Sequence, residues 1–193
     1  LIPFPVEELF QERLGDFDLI IFDRFDLTEL MSPGYFTNLS RRVEQGGGLL
    51  VVAGPEFSDR SSIAYTDLDR VLPARPAGPP VSQAFRPTLT DLGRRHPVTS
   101  ALAPGEGVPT WGRWESLARV EPKTDMVLMR GADDALLLML DRVGDGRVGM
   151  LASSDIWYWA RAVDGAGAAG FLQALTGSLE APAGLVQAEV GGS

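Results

Sequence analysis

Carboxylates stand at the ends of three apolar runs. Asp23 and Asp26 follow Phe17–Phe22, Glu56 follows Gly48–Ala53 by way of Gly54, and Ser154-Asp155 follows Arg147–Ala152. If those runs are strands of one open α/β sheet, their carboxyl ends face the crevice where such sheets bind ligands. Converging there, Asp23, Glu56 and Asp155 could hold Mg²⁺ or Ca²⁺, or poise one carboxyl as an acid of raised pKa. A hydrolase-like enzyme built at this place would draw on Asp23, Glu56, Ser154, Asp155 or His96. The competing reading is structural: Asp and Ser at strand ends cap the following helix or bond their own turns.

Other residues that could do chemistry are few. His96 is the single histidine; it precedes Pro97, which holds it extended or in a turn, and Arg94 and Arg95 flank it. Close to those arginines its pKa would fall, leaving a neutral base; the structural alternative is a turn histidine bonded to backbone. A zinc site would need carboxylate partners, because the chain has no cysteine. Four tryptophans form two pairs, Trp111/Trp114 and Trp157/Trp159, near Arg113 and Arg161. They read as packing or a partner surface, with stacking on a sugar as the alternative. Gly144-x-Gly146-x-x-Gly149 opens a strand instead of a helix, and no strand runs directly into Gly165-x-Gly167-x-x-Gly170, so neither is a dinucleotide fingerprint. No G-x-S-x-G elbow occurs, and the Ser58/Ser61/Ser62 cluster lacks a nearby base.

The elements that would position these residues alternate between helical and strand periodicity. Pro5–Leu14 carries Val6, Leu9, Phe10 and Arg13 at helical spacing, and Gly15 closes it. Phe17–Phe22 is a short strand. Ser32-Pro33 then starts a helix whose buried stripe is Tyr35, Phe36, Leu39 and Val43, and Gly46-Gly47-Gly48 stops it and turns into the strand Gly48–Ala53. Residues 58–72 read as helical, residues 73–80 as a loop, and Phe85–Leu89 and Pro97–Leu102 as irregular stretches. Trp111–Val120, Met126–Arg130 and Ala135–Arg142 read as strands, with Gly144-Asp145-Gly146 a tight hairpin turn into Arg147–Ala152. A final helix spans Ala168–Leu179. The expected architecture is α/β: a flavodoxin-like three-layer sandwich with a mostly parallel central sheet and an antiparallel C-terminal extension. Residues 1–179 form one domain and 180–193 a flexible tail.

Composition narrows the function classes. With 193 residues and 45% hydrophobic content, one core is the default. Seventeen basic against 26 acidic residues give a net charge of −9, which disfavours nucleic acid and anionic membrane as partners. The longest apolar runs, such as Ala135–Leu140, fall far short of the ~20 residues of a membrane span, so this segment is not expected to insert. The lack of cysteine excludes disulfides, thiol catalysis and thiolate metal sites. No cofactor is expected. A chain starting at Leu1 reads as a piece of something longer.

Three segments carry a family resemblance. Phe17–Phe25 resembles the Y-D-x-(apolar)₃ strand of class I glutamine amidotransferase-like domains, and Gln45-Gly-Gly-Gly-Leu-Leu-Val-Val-Ala-Gly-Pro55 resembles their nucleophile strand. Arg95-His-Pro-Val-Thr99 and Trp111-Gly-Arg-Trp114, followed by Gly144–Val148 and Ser154-Asp-Ile-Trp-Tyr-Trp-Ala-Arg161, resemble a narrower group, the amidotransferase-like domains embedded in large multi-pass bacterial membrane proteins. An active member of the class needs a cysteine nucleophile and, near the end of a late strand, His and Glu. Gly54 stands where the cysteine would, and Ser153-Ser154-Asp155 where the His-Pro-Glu segment would, so the covalent route is missing. The resemblance implies a degenerate, non-catalytic interaction or ligand-sensing module. It would be a soluble domain of a bacterial inner-membrane protein, with the rest of that parent or another protein as partner. It also implies a first strand preceding residue 1.

Overall fold

A helix stripe, a fully buried strand and a more exposed strand beside it organise the N-terminal half of the chain. In the computed structural model, which describes residues 7–27, 32–102, 112–156 and 165–180, strand β1 is Leu19–Asp23, helix α1 is Pro33–Glu44 and strand β2 is Gly48–Val52. Ser32 is the N-cap of α1 and Pro33 its first residue, as Ser-Pro requires. Tyr35, Phe36, Leu39 and Val43 are buried on one face. Burial of side chains this size contributes about 1.5–3 kcal/mol each, so the stripe rather than intrinsic propensity holds the helix.

The remaining strands are β3 (Ala74–Pro76), β4 (Thr88–Leu89), β5 (Val120–Pro122), β6 (Val127–Arg130), β7 (Leu136–Val143) and β8 (Gly146–Leu151). The helices are α2 (Asp91–Arg95), α3 (Pro97–Ser100) and α4 (Gly165–Glu180). Six strands form one sheet in the order β1-β2-β8-β7-β6-β4, and β3 pairs with β5 separately. β1, β2 and β8 run parallel, whereas β8-β7, β7-β6 and β6-β4 are antiparallel. Side chains alternate across the sheet. Leu49, Val51, Val148 and Met150 pack with α1, and Leu50, Val52 and Leu151 pack with Phe171, Leu175 and Leu179 of α4. The sheet therefore lies between α1 and α4.

Several expectations are corrected. The sheet is mixed, not mostly parallel: the hairpin at Gly144-Asp145-Gly146 reverses the chain and three of the five adjacent pairs run antiparallel. Residues 58–72 form short 3-10 turns, Ile63–Tyr65 and Asp67–Val71, separated where Thr66 caps the second. Of the helix expected over Pro5–Leu14, Pro5 and Val6 lie outside the described residues, and the rest holds one wide turn, Glu8–Glu12, followed by a 3-10 turn, Leu14–Asp16. Of the strand expected over Trp111–Val120, Trp111 lies outside the described residues and 112–120 is not continuous; Trp114 and Leu117 make isolated bridges to Phe85 and Val81 before β5. The stretch 73–80 holds β3 rather than a plain loop, and Glu180 ends α4 rather than beginning the tail.

The hairpin explains two glycines. Gly144 has φ +61°, open to glycine at little cost. At Gly146, a Cβ would lie 1.9 Å from the Val43 carbonyl oxygen and 2.6 Å from that of Gly47. The turn thus packs directly on the backbone at the end of α1.

Candidate functional site

The carboxyl ends of β2 and β8 lie side by side, since Leu151 is paired with Val52 and the Ala53 N–H donates to the Leu151 carbonyl at 2.8 Å. Each end carries a carboxylate engaged by backbone.

At the end of β2 the chain turns through Gly54 into a short 3-10 helix, Pro55–Ser58. The Glu56 side chain folds back, and Gly54 N–H donates to its Oε1 at 2.8 Å. A Cβ on Gly54 would fall 2.5 Å from Glu56 Oε2 and 2.6 Å from Oε1. The carboxylate therefore fills the space beside residue 54 that a nucleophile's side chain would occupy. Arg24, just past β1, has φ +48°, and its N–H donates to the Val52 carbonyl at 2.9 Å. Its guanidinium lies 3.8 Å from Glu56 Oε2 and is 61% exposed, which makes a weak, solvent-screened pair. The Ser58 hydroxyl nearby in sequence is buried without a partner.

At the end of β8 the network is tighter. Asp155 is 6% exposed, and its Oδ2 accepts from two consecutive amides, Glu115 N–H at 2.7 Å and Ser116 N–H at 2.9 Å. Ser153 Oγ donates to the Ser116 carbonyl at 2.7 Å and accepts from the Asp155 N–H at 3.1 Å. Ala118 N–H closes the arrangement on the Ala152 carbonyl. Segment 115–118 is thereby tied across the end of β8. Trp114, at its start, is fully buried against Phe85, ring centroids 6.2 Å apart, with its indole N–H unpartnered.

The other expected residues are dispersed. Asp23 is exposed on β1, and Asp26 bridges to Ser62 beside it. His96 joins α2 to α3, and α2 packs on β6 toward the opposite margin of the sheet from β1. There its Nδ1 accepts from Val98 N–H at 3.3 Å, the backbone-bonded turn histidine of the structural reading. Half-burial lowers its pKa through desolvation, not through Arg94 and Arg95. Among the described residues, no group of three or more His, Cys, Asp or Glu could hold a metal ion, so Asp23, Glu56 and Asp155 do not assemble a cation site. Ser154 is half-buried beside Asp155. Trp111, Trp157, Trp159 and Arg161 lie outside the described residues, and Trp114, fully buried, offers no face to a sugar. Sequence reasoning missed Glu115 and Ser116 as the partners of Asp155. Ser153-x-Asp155 signals a local turn, and nothing in that spacing points to a segment some forty residues earlier.

Fold and site together define an α/β domain with a mixed sheet in which the carboxylates after β2 and β8, Glu56 and Asp155, accept from its own backbone. No protein-family model and no curated protein matches the chain. Solved structures do resemble it. Cytoplasmic Protein STM3548 from Salmonella typhimurium aligns at TM-score 0.60 and 19% identity, covering 79% of this chain and 65% of that one. Cytoplasmic Protein STM1381 from Salmonella typhimurium LT2 aligns at 0.62 and 17%, covering 92% and 76%. A beta-galactosidase from Bacillus circulans sp. alkalophilus aligns at 0.54 and 18%, covering 88% of this chain but only 23% of that one. At these identities the likeness is one of fold.

Proposed function

We propose that the chain is a non-catalytic, flavodoxin-like domain of the glutamine amidotransferase type, working as an interaction or ligand-sensing module. The observation that carries this reading is Glu56: its carboxylate lies on the Gly54 amide, in the space a nucleophile at residue 54 would need. Asp155, at the place of the family's His-Pro-Glu segment, is likewise spent on the Glu115 and Ser116 amides. Neither carboxylate has a histidine beside it among the described residues, since His96 serves α3. The match to 23% of a beta-galactosidase chain is consistent with a fold that can serve as one part of a longer protein. The parent, a bacterial membrane or envelope protein that would offer the partner surface, is proposed from the sequence resemblance; no described helix is long and apolar enough to cross a membrane.

The test is twofold. Ammonia release from glutamine should stay at the buffer rate. Mg²⁺, Ca²⁺, Mn²⁺ and Zn²⁺ should each leave the melting midpoint unmoved, whereas an ion at 100 times its dissociation constant would add about 2.7 kcal/mol, or roughly 5–10 °C for this size. Glutamine-dependent ammonia, or a metal shift lost in Glu56→Gln, would overturn the non-catalytic reading.

A further inference from the structure

We draw no further inference here: the strongest candidate, the exposed face of α4 at Gly170, Gln173 and Gly177, where both glycines have open space beside them and no charged residue of the helix precedes Glu180, is a stripe of small residues, and nothing in the structure shows what covers it.

Discussion

Removing the Asp155 carboxylate should loosen the loop that closes the end of β8, and the size of the effect can be worked from its bonds. The group is 6% exposed and accepts at 2.7 and 2.9 Å from the consecutive amides of Glu115 and Ser116. Hydrogen bonds to a charged acceptor contribute about 1.5–3 kcal/mol each, so the pair totals about 3–6 kcal/mol. Asp155→Ala leaves both amides unpaired, with water reaching in to recover part of that, for an expected loss of about 3–5 kcal/mol. At about 2–4 °C per kcal/mol for a chain of this size, the midpoint should fall by roughly 6–20 °C. Asp155→Asn keeps one oxygen able to accept from both amides and loses only the charge, about 1–2 kcal/mol or roughly 2–8 °C. Thermal and urea melts give the totals, and amide exchange at Glu115 and Ser116 localises them. If the alanine variant melts within about 2 °C of the wild type and those two amides exchange no faster, the clamp is not what holds segment 115–118.

Further expectations concern single groups. His96 accepts at Nδ1 in its neutral form and burial lowers its pKa below the ordinary histidine value of 6.5, so the unfolded chain binds the proton more readily. Stability is therefore fully present above about pH 6.5 and declines as pH falls from there through the folded-state pKa, and His96→Asn should flatten that limb of the midpoint-against-pH curve. Gly54→Ala should displace the flexible Glu56 carboxylate and cost about 1 kcal/mol by urea titration, with little further loss on adding Glu56→Gln, because both changes break one contact. Gly54→Cys should yield a thiol without a histidine base and no glutaminase activity. Gly146→Ala drives a methyl into the Val43 carbonyl oxygen at a nominal 1.9 Å, and a loss of about 3 kcal/mol or more, or insoluble protein, is expected.

What was legible in the sequence was local and periodic. Ser32-Pro33 followed by the Tyr35, Phe36, Leu39, Val43 stripe gives α1 almost to the residue, because cap and stripe agree. The continuous apolar run of β2 reads as a strand buried on both faces, and so it is. The Gly144-Asp145-Gly146 turn fixes the β7–β8 hairpin. What was illegible was whatever depends on distant partners. Ile63, Leu68 and Val71 are all buried, yet from two short 3-10 turns, the second packed against α1 and the first against the second, a burial that the periodicity cannot distinguish from a helix. Trp114 suggests a strand, but its segment is bound through Ser153 and Asp155 and only touches strand pairing at isolated bridges. The parallel character read from β1 and β2 was extended too far, since the hairpin that reverses the sheet halves its reach.

The candidate site follows the same division. That carboxylates stand at the strand ends was plain from the sequence; that Glu56 and Asp155 are bonded to backbone was not, because those bonds are decided by geometry. A carboxylate free for acid–base or metal chemistry must keep its lone pairs for the ligand. Glu56 gives one to the Gly54 amide two residues before it, and Asp155 gives one oxygen to two amides of a remote loop. No group of three metal-ligating residues gathers at either place among the described residues, so each oxygen bonded to backbone is added to the scaffold. At the ends of β2 and β8, residue types that could serve chemistry thus hold backbone instead. The large apolar side chains left exposed, Phe17, Ile21, Tyr65, Leu92 and Met126 among the described residues, lie away from these two carboxylates in the sequence. That distribution is the ground on which contact, rather than reaction, is proposed for the domain.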